Sequence, residues 1–371
     1  MLYNVRTQIS LIYVLLGECD FIMKKKDDRY GDHYRYYQGK NSEYVDISSG
    51  SRRGPKRKFP WLRVFSILFF SILGTVGGLM IYVYNTLNSV NYDDLSDEQH
   101  PSAASEPEDT YLNDSMILNV LLLGTDTRSD SDNGRSDSTM LISLDLKHKK
   151  IKITSLMRDI WVQIPGYHKD RLNAAYSYGG AKLAIKTIEH NFGVHIDRYA
   201  SVDFNGFAKI IDALGGVDMK LTDKEIAYVN SDSQSPTKIV GTGVVHLNGL
   251  QTLSHARNRH SAGSDYDRTQ RQRNVMIAVI EKFKTASIPQ ITKAISDVAP
   301  LITTNFKTSE ITKLASNVAS YSKFTNEEFR LPTNDNVRNE TIDQKMVLVI
   351  NDMTKAKYDL AKFIYEDSIE K

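Results

Sequence analysis

Cysteine is almost absent: the 371-residue chain has one, Cys19. A single thiol builds neither a disulfide framework nor a thiolate metal site. Charge of one sign is also lacking, with a formal net charge of +2. A dedicated nucleic-acid binder usually carries a strong basic surplus, so nucleic acid is excluded as the expected partner. The common catalytic signatures are missing as well. There is no G-x-x-x-x-G-K-[ST], no H-E-x-x-H, no G-x-S-x-G and no C-x-x-C, which removes P-loop, zincin, α/β-hydrolase and thioredoxin-type chemistry. Ser155 lies near Arg158 and Asp159, but no histidine is marked as its partner, and His246, His255 and His260 are expected at the surface or behind a site. No repeat at solenoid spacing occurs.

Long apolar runs are scarce, with one exception. Residues 64–84, VFSILFFSILGTVGGLMIYVY, contain no charge. As a helix this segment is roughly 31 Å long, against about 30 Å of bilayer hydrocarbon. Trp61 and the pair Tyr82 and Tyr84 stand at its ends, as interface anchors do. A buried core helix is the competing reading, and the charge-free length weighs against it. Residues 1–63 carry 13 Lys and Arg against 7 Asp and Glu, whereas residues 85–115 carry 8 acidic residues and no Lys or Arg. The positive-inside rule places the N-terminus in the cytoplasm and everything beyond Tyr84 outside. No small-residue cleavage motif follows the polar leader, so the span is expected to be an uncleaved anchor. Residues 1–63 are then a disordered basic leader and residues 85–115 an acidic stalk. The run ISLIYVLLG near the start is too short to span, and Met23 opens MKKKDDRY like a natural start. Residues 1–22 are therefore expected to be an over-extended start, which N-terminal sequencing that found them would overturn.

The segment that organises the rest is 119–139, NVLLLGTDTRSDSDNGRSDST. An apolar strand stops at Gly124, and the loop beyond it alternates Asp126, Arg128, Asp130, Asp132, Arg135 and Asp137. Carboxylates hold a hard cation and arginines hold the anion it bridges, so this alternation suits a metal ion beside a phosphate. A solvated Asp/Ser/Gly turn is the competing reading. Residues 139–144 and 151–156 read as strands joined by a short connection, and the second ends in Arg158 and Asp159. Residues 173–191 read as a helix broken at Gly179-Gly180. Phe207, Ile210, Ile211 and Leu214 fall at i, i+3, i+4, i+7 and define an amphipathic helix stopped by Gly215-Gly216. Strands at 199–202 and 217–221 frame it. Asn248 with Gln251 resembles a capping box opening a helix that delivers Arg257 and Arg259 to its C-terminal end. A further helix carries Arg268 and Arg271 on one face, with Arg273 pointing elsewhere. Five arginines in the seventeen residues 257–273 favour bidentate anion recognition; a solvated basic helix pair is the alternative. Residues 285–371 show amphipathic helices, the apolar strand MVLVI and no chemical motif, and are expected to be a helical extension packed on the domain. Alternating strands and helices imply an α/β fold, a layered α-β-α domain with a central mixed sheet flanked by helices, carried on a single transmembrane helix.

The ordered blocks G124-T-D126-T-R128, R135-S-D137-S, S155-L-M-R158-D159, L172-N-A-A-Y176, V202-D-F204, G215-G-V, A256-R257-N-R259-H and D267-R268-T-Q-R271-Q together resemble the LytR–CpsA–Psr family over residues 116–284. Ser138 stands where the family often has threonine, and the hydroxyl is kept. The resemblance implies a membrane-anchored phosphotransferase of Gram-positive bacteria. Such an enzyme moves an anionic glycopolymer, of wall teichoic acid or capsule type, from a polyprenyl-pyrophosphate carrier to peptidoglycan. It implies Mg²⁺ on Asp126 and Asp137, and a pyrophosphate grip by Arg158, Arg257, Arg259 and Arg268, with Arg135 and Arg271 as supporters. Asp265 and Asp267 fall in a stretch that is variable in the family and receive no role. Asp126 or Asp159 could take the acceptor's proton, and the sequence does not choose between them. The helices at 173–191 and 204–214 are candidate walls for a lipid tunnel. A non-enzymatic envelope regulator of the attenuator type, and a polyprenyl-pyrophosphate phosphatase, remain the alternatives. Within the opening loop, mutation of Asp132 is expected to do little and mutation of Asp137 to cost most of the activity.

Overall fold

The computed structural model describes residues 90–95, 112–126, 134–259 and 265–366. The expected leader, the span at 64–84, most of the stalk and the loop tip with Arg128, Asp130 and Asp132 lie outside these. Among the described residues no helix is long and apolar enough to cross a membrane.

In chain order the strands are β1 (Asn91–Tyr92), β2 (Ile117–Thr125), β3 (Ser136–Asp145), β4 (Lys150–Leu156), β5 (Trp161–Gln163), β6 (Lys169–Arg171), β7 (Arg198–Asp203), β8 (Val217–Leu221), β9 (Gly243–Leu247), β10 (Ile302–Thr304), β11 (Thr325–Leu331), β12 (Val337–Ile342) and β13 (Lys345–Ile350). The α-helices are α1 (Leu172–Phe192), α2 (Phe204–Ala213), α3 (Asp223–Asp232), α4 (Gly249–Arg257), α5 (Asp265–Thr285), α6 (Ile288–Val298), α7 (Thr308–Ser316), α8 (Val318–Tyr321) and α9 (Met353–Tyr365).

Seven strands form one sheet in the order β1-β10-β7-β2-β3-β4-β11, and β5–β6, β8–β9 and β12–β13 form separate two-stranded pairs. The sheet is mixed: β2 runs antiparallel to β3 and parallel to β7, and β11 runs parallel to β4. Strand β2 lies in the middle because its apolar run has a use for both faces. Successive side chains point to opposite sides, and register sets Leu121 beside Leu141 and Tyr199, and Leu122 beside Met140 and Ala200. The first set joins the main core, where α1 contributes Ile185 and Ile188 and α9 contributes Leu360 and Ile364. Each fully buried aliphatic side chain there stabilises the fold by about 1.5–3 kcal/mol. The second set faces α2, α4 and α5. These helices share a smaller core with β8 and β9, including Ile211, Val217, Leu247, Ala256 and Val275. At Gly249 an added Cβ would lie 2.0 Å from the Ala208 carbonyl oxygen, so α2 and α4 touch backbone to backbone only because this residue has no side chain.

Two regions differ from the sequence expectation. Residues beyond 285 are not an appended helical extension: β10 and β11 are strands of the central sheet, and α9 packs in the main core. Helix α9 is held by a buried cation. The Lys152 ammonium donates to Asp145 Oδ2 at 2.7 Å and to the Ile364 carbonyl at 2.8 Å, and pairs with Glu366 Oε1 at 2.8 Å, which satisfies its three donors. Part of the expected stalk also belongs to the domain, since β1 pairs with β10 and Asp93 accepts a hydrogen bond from the Tyr199 hydroxyl.

Candidate active site

The site begins where β2 and β3 lose their regular pairing. Gly124 lies opposite Ser138 and Thr125 opposite Ser136, so Asp137 is an extra, unpaired residue. A bulge of this kind re-aims a side chain. An added Cβ at Gly124 would lie 3.1 Å from Ser138 Cβ, so this glycine keeps the strands close at the bulge. Across it the Asp126 amide donates to the Arg135 carbonyl at 3.2 Å. Asp126 and Asp137 both line a cavity of about 590 Å³, shared with Arg257, Arg259 and Arg268. The expected capping box at Asn248 and Gln251 starts α4, and the other end of that helix delivers Arg257. Its guanidinium carbon lies 4.7 Å from the Phe204 ring centroid, a cation–π contact that holds the charge at the cavity wall. The first turns of α5 supply Arg268.

Arg158, just past the end of β4, ties the site together. Its guanidinium donates to Asp137 Oδ1 at 2.9 Å, to Asp159 Oδ2 at 3.3 Å and to Asp265 Oδ2 at 3.4 Å. Burial alone would lower its pKa, but the three carboxylates outweigh burial and raise it above the ordinary value. Arg268 differs. It is 5% exposed, pairs with Asp265 Oδ1 at 3.2 Å, and its Nε has no hydrogen-bond partner. Burial, followed by the repulsion of Arg158, pulls its pKa below the ordinary value. A desolvated guanidinium with an unsatisfied donor beside other cations is a site that an anion would stabilise. Asp159 is pushed up, chiefly by burial and against the pull of Arg158, with Asp265 adding to the rise. Asp265 is held down because Arg268 and Arg158 outweigh its burial.

Asp126, Asp137, Arg257, Arg259 and Arg268 therefore meet at one cavity, with Arg158 bonded to its Asp137 wall. Three expected site residues stand elsewhere. Asp159 lines a neighbouring cavity with Asp265 and also accepts from Arg171 at 3.2 Å. Arg135 is exposed and absent from the cavity lining, and its charge acts on Tyr178. Arg271, expected to support the pyrophosphate, is 6% exposed. It donates to Glu225 Oε1 and to the Asn258 carbonyl, each at 2.9 Å, so its donors are turned to structure rather than to the cavity. His255 is buried, and that burial lowers its pKa to about 4. Asp265 is the residue that sequence reasoning left without a role. The available signal was an aspartate opening an arginine-bearing helix, where the helix dipole favours negative charge.

A second, apolar cavity of about 220 Å³ adjoins the first and shares Phe204, Leu253, Arg257 and Gln272 with it. Its floor is the sheet face bearing Leu122, Met140 and Ala200, and its walls carry Phe207 and Ile210 of α2, Ala256 of α4, and Val275, Met276 and Val279 of α5. The wall expected from residues 204–214 is present. The wall expected from residues 173–191 is not, because α1 packs in the core on the opposite face of the sheet.

The carboxylates in the lining suit a hard divalent cation. Asp126 and Asp137 present oxygen donors to a cavity that also has room for phosphate oxygens and water, the ligand set Mg²⁺ prefers. Asp145, His148 and Glu366 form a three-residue group at the far end of β3, but the Lys152 ammonium is bonded to its two carboxylates.

The profile of the LytR_cpsA_psr family matches residues 79–361. The chain belongs to the LytR–CpsA–Psr family. Among curated LytR–CpsA–Psr relatives, the polyisoprenyl-teichoic acid–peptidoglycan teichoic acid transferase TagU of Bacillus anthracis is 36% identical over 253 residues, 65% of this chain and 78% of the relative. The transferase TagV of Bacillus subtilis, with the same activity in its name, is 32% identical over 260 residues, 67% of this chain and 65% of the relative. The solved structure of TagT bound to LI-WTA is 25% identical, with a TM-score of 0.56 over 72% of this chain and 97% of that one.

Proposed function

We propose that this LytR–CpsA–Psr protein is a phosphotransferase that moves a teichoic-acid-type glycopolymer from a polyprenyl-pyrophosphate carrier to a sugar hydroxyl of peptidoglycan. One observation carries the reading: a polar cavity bearing two carboxylates and three arginines shares a wall with an apolar cavity. A pyrophosphate esterified to an isoprenoid has that same division of chemistry. Arg257 borders both cavities, where the headgroup would join the chain. The relatives named as teichoic acid transferases supply the substrate class.

The acceptor hydroxyl attacks the glycosyl-bearing phosphorus. An oxygen–phosphorus bond forms, the bond to the bridging oxygen breaks, and polyprenyl phosphate leaves with the electron pair. Arg257, Arg259 and Arg268 orient the pyrophosphate, and Arg158 and Arg268 meet the charge that develops in the transition state. Asp126 and Asp137 would hold Mg²⁺, which when bound neutralises charge on the pyrophosphate oxygens. Asp159 takes the hydroxyl proton, and the rise in its pKa on burial brings it nearer to the strength a base needs at neutral pH.

The charge-free stretch at 64–84, and the switch from a basic to an acidic flank across it, support a single membrane span with the N-terminus in the cytoplasm and the catalytic domain outside. On this reading the site faces the side where lipid-linked polymer and peptidoglycan meet.

The test is Arg158→Ala in a reconstituted transfer assay. Transfer should fall by roughly 10²- to 10³-fold while the domain stays folded; full transfer by the variant would overturn the reading. Product analysis separates the competing phosphatase, since glycopolymer joined to peptidoglycan marks a transferase and free glycopolymer phosphate marks hydrolysis. Deletion of residues 27–58 tests the regulator, because a transferase would still couple polymer without its leader.

A further inference from the structure

We infer that the cavity framed by the β12–β13 hairpin receives the acceptor, an uncharged saccharide unit of a glycan, and delivers its hydroxyl to the donor held beside Arg158. The inference rests on the transferase reading above and names where the second substrate enters.

This cavity, of about 410 Å³, is lined by Asp159, Asp265 and Tyr266 and by the hairpin residues Asn339, Glu340, Thr341 and Met346. Its size falls within the ~300–1,000 Å³ usual for small-ligand sites. Charge decides which substrate belongs here. The donor cavity presents Arg257, Arg259 and Arg268, whereas no lysine or arginine lines this one and three carboxylates do. Each of those carboxylates is already paired with an arginine, so the lining offers a pyrophosphate or a polyanionic glycopolymer no cation of its own. A neutral saccharide would be tolerated, and its hydroxyls could be met by Asn339, Thr341 and the acids.

Arg158 lines neither cavity but bonds to residues of both. Arg158 reaches Asp137 on the donor side at 2.9 Å, and Asp159 and Asp265 on the hairpin side at 3.3 and 3.4 Å. A saccharide hydroxyl beside Asp159 would therefore have both a proton acceptor and a phosphorus held by the arginines within reach. The new oxygen–phosphorus bond forms as polyprenyl phosphate departs, and the proton ends on Asp159.

The hairpin is built to hold position. The Leu348 amide donates to the Asp159 carbonyl at 2.8 Å, and Lys345 Nζ donates to both Asp170 oxygens at 2.8 Å. Its cavity-facing side nevertheless carries an apolar side chain that the fold does not need, Met346 at 81% exposed. Met346 and the Tyr266 ring offer apolar surface to the C–H face of a pyranose, while Asn339 and Thr341 offer hydrogen bonds to its rim.

The experiment uses the purified full chain in detergent with a lipid-linked glycopolymer donor and an uncharged peptidoglycan-type disaccharide oligomer as acceptor. Thr341→Trp fills the cavity from an exposed hairpin position, and Asn339→Ala removes one polar contact without adding bulk. Acceptor KM should rise about tenfold in Thr341→Trp and several-fold in Asn339→Ala, while donor KM and the slow release of glycopolymer phosphate to water stay within about twofold of wild type. Unchanged acceptor KM in both variants, or donor KM rising in step with it, would overturn the inference and leave the transferase reading standing. A wild-type protein that releases glycopolymer phosphate but never couples it to the oligomer would overturn both.

Discussion

Helix α5 holds two arginines in nearly equal burial and opposite circumstances. Arg268 and Arg271 are one turn apart and 5% and 6% exposed. Arg271 faces α3, where Glu225 and the Asn258 carbonyl take its donors. Arg268 faces the cavity, where its carboxylate partner Asp265 is already shared with Arg158 and its Nε bonds to nothing. Burial therefore does not separate a structural arginine from a binding one. The balance of partners does: a satisfied guanidinium stabilises the fold, and an under-satisfied one among like charges waits for an anion.

The sharpest way to break this contrast is to remove each cation in turn. Arg268→Gln should cut transfer by about 10²-fold with little change in Tm, because the charge it loses was opposed by Arg158. Arg271→Gln should do the reverse. It leaves the half-buried Glu225 without its cation, a loss of about 1–2 kcal/mol in chemical denaturation, with transfer per folded molecule close to wild type. Equal effects of the two substitutions on transfer would end the distinction.

A smaller effect sharpens the cavity side. The acid limb of kcat/KM should reflect Asp159, whose folded pKa is raised by burial and further by Asp265. Activity falls as pH drops through that pKa. Asp265→Asn removes a neighbouring negative charge, so the limb should move to lower pH; a limb that stays in place would remove Asp159 as the base. The smallest effect belongs to the structural side. His255 is held neutral, with a folded pKa of about 4 against 6.5 when unfolded. Its contribution to stability is complete above 6.5 and lost as pH falls from there toward 4. Tm should decline across that window, and His255→Gln should flatten the decline.

Much of this site is local pattern and could be read from sequence. The apolar run before Asp126, the second aspartate at 137 and the arginine pair closing a capped helix are short-range signals. What decides between Arg268 and Arg271 is not short-range. The i, i+3 spacing puts them on one broad face, and only the position of Glu225 on another helix shows which one is satisfied. The apolar spacing of helix α1 predicts a helix that could wall a tunnel, yet periodicity does not tell which face of a sheet a helix will cover. Strand β11, TNEEFRL, and the three-residue β10 are mostly half-buried or exposed, so they lack the alternation that reveals a half-buried strand. They were hidden in a tail that looked helical. Asp265 escaped for a similar reason, since its partners Arg158 and Asp159 are over a hundred residues away.

The placement of those two strands has a consequence for how the protein is made. Strand β10 covers β7 on one side of the sheet, and β11 covers β4 on the other. The four strands between them are synthesised first, so a growing chain would hold β7, β2, β3 and β4 with both flanks open until residues 302–331 arrive. Pairing across such sequence distances is slow and leaves strand edges exposed meanwhile. The domain therefore cannot finish folding from its N-terminal end as it emerges, and residues 302–331 act as the closing step of assembly.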